Sequence, residues 1–320
     1  MRLSACITTR NRPQDLANCL RSLWDSQTKP YSVIVSDDSP DIEMQQKNQQ
    51  IVQQYPQTIY ITGPRRGVCA NRNNAVNATS ALETDLVAFI DDDICVEPEY
   101  IGGAIAHYLQ MSPEQRDCTI ISGISYDTDG YIMAPGKLSF RGYFCASDVP
   151  ETIAIHASMF PRQFFEQEQW DEDIFFGYED AELCLRALKR GYNILPCPEL
   201  RVLNAGGNGK SSLMVSDIGK LTKYEISIEA ARLYIGIKRH KNLFPNFLKL
   251  IGFCCVYFLH MTAYLYKRGS LKAWPEIIRR SQIQKLWQPS HNNSQFAIPQ
   301  AEDSRQRNAQ LKKLDTARIS

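Results

Sequence analysis

Over the first hundred residues, short apolar runs alternate with segments whose apolar residues recur every three or four positions. Residues 3–8 are apolar and end in polar ones. From Pro13 onward, Leu16, Cys19, Leu20 and Leu23 mark one helical face. The alternation continues with a strand over 31–36, a polar helix over 42–55, a strand over 58–62, a helix over 70–81 and a strand over 85–90. Strands alternating with helices predict βαβ units, and so an α/β fold with a mostly parallel central sheet flanked by helices. Ligands of such sheets bind beyond the carboxyl ends of the strands. Polar clusters at 8–12, 37–39, 63–67 and 91–93 each follow a strand, so they are expected to meet in one cleft.

The pattern then changes. Residues 117–161 are irregular, with short β-like runs. Residues 179–190 read as a helix stopped by Gly191, and Gly206, Gly207 and Gly209 as a loop. A long helix is expected from about 212 to 240, then an apolar run over 250–266, and a polar tail from about 290 that is expected to be disordered. This divides the chain into a body over 1–210, a helical region over 211–288 and a tail over 289–320.

Hydrophobic residues make up 43% and charged residues 22%, enough apolar material for a full core, which excludes a disordered chain. A net charge of +1 gives no signature of nucleic-acid binding, and no nucleic-acid partner is expected. The charge is uneven, however. Residues 238–285 hold ten Lys/Arg and one acidic residue, a local +9 beside a remainder of −8. Ten cysteines form no paired CxxC motifs, so reduced thiols are expected rather than a zinc site. The start of the chain does not read as a signal peptide, so the body is expected in the cytosol.

Three constellations carry chemistry. Asp91, Asp92 and Asp93 close an apolar strand. Such mutually repelling carboxylates are tolerated where a hard divalent cation, Mg²⁺ or Mn²⁺, neutralises them, although a solvated acidic turn has the same sequence. Strand alternation sends Asp91 and Asp93 to one side. Glu179 and Asp180 open a helix behind an aromatic, glycine-containing approach (Phe175, Phe176, Gly177, Tyr178). A carboxylate there serves as a general base or simply as a helix cap. Arg65 and Arg66 between glycines, followed by Arg72 and Asn73 at a helix start, suit a diphosphate.

Together these motifs resemble the family 2 glycosyltransferases over roughly residues 3–209. The markers are CITTRNRPQDLANCLRSL, VIVSDDSPD, GPRRGVCANRNNAV, FIDDDI and FFGYEDAELCLRALKRGY. The resemblance implies the GT-A fold and a nucleoside-diphosphate sugar as donor. It implies that Thr8, Arg10 and Asp37 or Asp38 contact the nucleoside, and that Arg66, Arg72 and Asn73 approach the ribose and diphosphate. Asp91 and Asp93 stand as the metal-binding pair, with Asp92 beside them at the donor. Asp180 stands as the catalytic base, and His156 and Glu179 on the acceptor side. Many relatives carry a His where Asn204 stands here, and an amide oxygen is a weaker metal ligand than imidazole.

The reaction so implied is a single displacement with inversion, in which a sugar passes to a hydroxyl of a glycan or lipid-linked acceptor in polysaccharide assembly. A nucleotidyltransferase is the alternative enzyme, but it wants a glycine-rich loop after the first strand, and ITTRNRP has none. A non-catalytic module of the same fold is the other alternative. The apolar run 250–266, flanked by Lys249 and Lys267, is read as a helix lying in or dipping into the cytoplasmic leaflet, peripheral on the inner face of the plasma membrane. A bilayer span and a buried core helix are the other two possibilities.

Overall fold

In a computed structural model, residues 1–206 and 214–288 are described. The glycines at 207 and 209 and the tail over 289–320 lie outside the described residues. The compact body runs from Met1 to Leu286.

Its strands are β1 (Leu3–Thr9), β2 (Ser32–Asp37), β3 (Thr58–Thr62), β4 (Leu86–Asp91), β5 (Ile94–Val96), β6 (Thr119–Asp127), β7 (Ile132–Met133), β8 (Gly136–Leu138), β9 (Phe144–Ala146), β10 (Ser158–Pro161) and β11 (Asn193–Asn204). The central sheet has the order β3-β2-β1-β4-β10-β6-β11-β5. β3, β2, β1 and β4 are parallel, β10 runs against both β4 and β6, and β11 is parallel to β6. The fold is the α/β arrangement expected from the strand–helix alternation, and it is consistent with the GT-A fold that the resemblance implies.

Alternation along the strands separates two cores. On β4, Leu86, Ala88 and Ile90 face one side and Val87 and Phe89 the other. The first side is covered by α1 (Pro13–Asp25), α2 (Ile42–Val52) and α4 (Tyr100–Gln110). α1 starts on Pro13 and buries Leu16, Cys19, Leu20 and Leu23 along one face. The second side carries α3 (Val68–Ala78), α7 (Glu179–Lys189), α8 (Lys223–Lys238) and α9 (Phe247–Lys267), around an aromatic cluster of Phe89, Phe160, Phe165 and Trp170. The short helices α5 (Pro113–Asp117) and α6 (Phe164–Gln167), and the terminal α10 (Trp274–Ser281), complete the body.

One boundary differs from the sequence expectation. The helix expected from about 212 begins at Lys223, and Ser216–Ile218 and Leu221–Thr222 pair as a small antiparallel ladder instead. Thr222 stops the helix from extending backward. Its hydroxyl accepts from the Glu225 backbone N–H, and the Glu225 carboxylate accepts from the Thr222 N–H, a reciprocal cap.

Candidate active site

Register aligns the strand ends. Thr8 of β1 stands opposite Asp91 of β4, and Thr9 opposite Asp37 of β2. The carboxylates after β4 therefore open onto the same edge as the loop after β1.

The three aspartates have separate environments. Asp91 accepts from Arg72 Nη2 at 3.2 Å and lies 3.0 Å from His156 Nε2. These cations hold its carboxyl well below the ordinary range despite the cost of burial. Asp92 points the other way, as strand alternation requires. It accepts from Thr9 Oγ1 at 2.7 Å and Arg12 Nη1 at 3.2 Å, and burial pushes it up to about 7. Asp93 accepts from the same Arg12 nitrogen at 2.9 Å. Its pKa is raised by burial and by neighbouring Asp91.

Arg72 is the centre of the site. Its side chain is 3% exposed, donates to Glu179 Oε1 at 3.0 Å as well as to Asp91, and lies 4.9 Å over the Trp170 ring. α3 thereby ties the end of β4 to the start of α7. That start is sharply bent. Gly177 and Tyr178 both have left-handed backbone (φ 85° and 62°), and a Cβ on Gly177 would meet Ile228 at 2.4 Å. For an aromatic residue such a conformation is strained and persists only where packing imposes it. Tyr178 stacks on Phe144 at 4.8 Å. The turn delivers Asp180 half-buried in the first turn of α7. Burial first, and then the adjacent Glu179 charge, push Asp180 up to about 7.

Several expected residues lie elsewhere or do other work. Asn73 spends its amide on the 170–172 segment: Nδ2 donates to the Trp170 carbonyl and to Glu172, and Oδ1 accepts from the Trp170 N–H. Asp37 is fully engaged by Asn48, Tyr60 and the Ser39 N–H. Asp38 is left as the carboxylate of that pair at the cleft, with one oxygen on the Arg65 N–H and its pKa raised by burial. Arg10 is exposed and close enough to oppose that rise. Arg66 is exposed and pairs with Glu172 at 3.1 Å. Thr8 is partly buried at the end of β1. His156, expected toward the acceptor, faces Asp91, which raises its pKa against the opposing effect of burial. Glu179 faces Arg72. The Asn204 amide oxygen accepts from the Gly206 N–H.

Arg12, Thr9 and Trp170 were not singled out from sequence. Arg12 stands in the same TRNR cluster as Arg10, but nothing local shows that it bridges two aspartates eighty residues away. Trp170 meets Arg72 only through the tertiary fold.

The residues present fit a divalent cation. Asp91, Asp92, Asp93, Glu179 and Asp180 face two guanidiniums (Arg12, Arg72) and one imidazole (His156), and an anionic diphosphate would add to that negative excess. Glu179 Oε2, His156 Nδ1 and Arg72 Nε are buried there without hydrogen-bond partners. Buried polar atoms left unpaired are costly, and a ligand or its water would satisfy them.

A sheet edge with a carboxylate cluster after β4 and a second acidic pair opening α7 defines a GT-A transferase. The chain belongs to the family described as glycosyl transferase family 2, whose model matches residues 4–187, and it is a glycosyltransferase. Among solved structures it is similar to S. aureus TarS 1-349, at 15% identity and TM-score 0.58 over 88% of this chain and 80% of that one. It is also similar to TarS 1-349 in complex with UDP-GlcNAc (17%, 0.57, 88% and 79%). GalNAc-T7 with UDP, GalNAc and Mn²⁺ matches at 16% and 0.53, over 84% and 58%. At these identities the likeness is one of fold. No curated protein sequence matches the chain.

Proposed function

We propose that the chain is an inverting, metal-dependent transferase that moves a sugar from a nucleoside-diphosphate sugar to a hydroxyl of a glycan or lipid-linked acceptor, at the inner face of the plasma membrane in polysaccharide assembly. The observation that carries this reading is Asp180: half-buried, raised toward neutrality, and joined through Glu179 and Arg72 to the carboxylates after β4. The donor class is supported by the UDP and UDP-GlcNAc complexes of the fold neighbours.

Asp91 and Asp93 would hold Mn²⁺ or Mg²⁺, which when bound neutralises charge on the leaving diphosphate. Arg72 fixes the Asp91 carboxylate and screens Glu179 from Asp180. Asp38 and Arg10 would contact the nucleoside. The Asp180 carboxylate takes the acceptor hydroxyl proton as that oxygen bonds to the anomeric carbon and the bond to the diphosphate oxygen breaks. Attack from the opposite face inverts the anomeric centre, and Asp180 later returns its proton to solvent. A carboxylate near pH 7 is suited to this, because it is ionised at working pH yet basic enough to accept.

The test is slow hydrolysis of a panel of UDP-, GDP- and dTDP-sugars with Mn²⁺. Asp93→Ala should lose metal-dependent turnover and weaken diphosphate binding. Asp180→Asn should keep donor binding and lose about 10²-fold or more in turnover. Unchanged turnover in Asp93→Ala would refute the metal assignment. Collapse of donor affinity in Asp180→Asn, with turnover retained at saturation, would make Asp180 a binding residue.

A further inference from the structure

Helix α9 is attached to the body along one stripe. Phe253, Tyr257, Met261 and Leu265, four residues apart, are buried in the core. Phe253 covers Gly236 of α8 so closely that a Cβ there would lie 2.0 Å from its ring, and Tyr257 donates to the Glu229 carbonyl at 2.8 Å. The other side is bare. Phe247, Leu248, Leu259 and Tyr266 are 73, 81, 73 and 74% exposed, and Ile251 and Phe258 lie on the same face. Phe258, Leu259, Tyr266 and Leu271 border a shallow apolar groove of about 880 Å³. The helix is 21 residues long and contains an 18-residue stretch with a mean hydropathy of 1.5, long and apolar enough to cross a membrane by length and composition. Crossing would pull the buried stripe out of the core. A helix held this way meets a bilayer lying flat, along a length of about 30 Å.

The charge pattern chooses the occupant. Most of the local +9 is spent internally: Lys238 pairs with Asp171 and Glu182, Arg239 with Glu151, Arg268 with Glu225, Arg280 with Asp217 and Lys285 with Asp173. Lys249, Lys267 and Lys272 remain exposed, with no ion pair among the described residues, and α9 carries no carboxylate. A second copy packed symmetrically on this face would bring like charges together. The segment 289–320 holds five Lys/Arg and three Asp/Glu, so it does not complement the face either.

We infer that α9 docks flat on an anionic lipid surface, with Leu248, Ile251, Phe258 and Leu259 in the headgroup–acyl boundary and Lys249, Lys267 and Lys272 at the headgroups. The β8–β9 hairpin joins this face to the active site. Phe140 lies 3.2 Å from the position of a Cβ on Gly252, Tyr143 Oη meets His260 Nδ1 at 3.4 Å, and Phe144 stacks on Tyr178 beside Glu179 and Asp180. An acceptor anchored in the bilayer therefore arrives next to the candidate base. This consequence rests on the proposed transferase reading, whereas the docking does not.

The experiment is co-sedimentation of the full chain with vesicles of phosphatidylcholine alone or mixed with phosphatidylglycerol, at low and high salt. The chain should pellet with the anionic vesicles, and less so at high salt. Leu248→Gln with Leu259→Gln should lower the partition coefficient at least tenfold at every salt concentration, with the thermal midpoint unchanged. Lys249→Gln, Lys267→Gln and Lys272→Gln should each cost about fivefold, on anionic vesicles only. The inference is overturned if the wild-type chain stays in the supernatant with both vesicles, or if the leucine variants bind as the wild type does. It is also overturned if sedimentation equilibrium finds a dimer that the leucine variants dissociate while lipid binding is absent. That last result would assign the face to a second copy.

Discussion

Replacing Arg72 with methionine removes the cation that two carboxylates share. The stem volume is roughly kept, so the change isolates the guanidinium. Its side chain is 3% exposed, Glu179's is 10% and Asp91's is 27%. Breaking a buried pair costs about 3–5 kcal/mol, because the abandoned carboxylate stays out of water. Asp91 is a quarter exposed and keeps His156, so its share is smaller. The lost contact with Trp170 adds about 1 kcal/mol. A total near 4 kcal/mol is expected at pH 7.5, read as a lower urea midpoint of the full chain with unchanged slope.

The pH dependence follows from linkage. Arg72 and His156 hold the Asp91 carboxyl below its ordinary value. That contribution is fully present above the unfolded value, about 3.9, and is lost as pH falls through the lower folded one. In Arg72→Met the Asp91 carboxyl loses the guanidinium that helps to hold it down. The gap between variant and wild type should therefore hold from pH 7.5 to about 4 and narrow only below that. Arg72→Lys should recover only part of the loss, since an ammonium does not bridge both carboxylates with a planar fork. A loss under about 1 kcal/mol, or a gap that ignores pH, would refute the reasoning.

With Asp180 raised to about 7, kcat/KM for donor hydrolysis by free enzyme should climb about tenfold per pH unit below neutrality and level off above it; a flat profile from pH 5 to 8 would exclude this base. The same shift predicts that Asp180→Asn raises the thermal midpoint most at pH 8, less at pH 5 and hardly at pH 4, because the cost of the raised carboxyl grows from the unfolded value, about 3.9, up to the folded one. Lys238→Met should lower stability by about 3–5 kcal/mol, since it strands Glu182, which is buried and already pushed up to about 7, beside Asp171; urea unfolding measures it, and a change under about 1 kcal/mol would show that Arg186 alone satisfies Glu182.

Periodicity was enough to locate the first four strands within a residue or so and the helices between them, because each is a local pattern read from one face of the chain. It failed at 214–221, where the Thr222–Glu225 cap was present in the sequence as T-x-x-E but the apolar run beyond it suggested a longer helix. The site was legible as residue types. What each residue touches was not. Asn73 and Asp37 are consumed by neighbouring loops, and His156 and Arg12 meet the aspartates through contacts spanning 65 and about 80 positions. The local charge excess on 238–285 was real, but its partners on Asp171, Glu151, Glu225 and Asp217 lie outside that segment and appear only on folding.

The central claim is that a base on one face and a leaving diphosphate on the other exchange a sugar in one displacement. Proton NMR of donor hydrolysis in the absence of acceptor tests it most directly. An α-linked nucleoside-diphosphate sugar, beginning with UDP-N-acetylglucosamine, is followed by the coupling of the first anomeric proton released, before mutarotation. The β-anomer should appear first, with a rate that depends on Mn²⁺ and falls about 10²-fold in Asp180→Asn. The α-anomer appearing first, or no hydrolysis of any donor in the panel, would contradict the account.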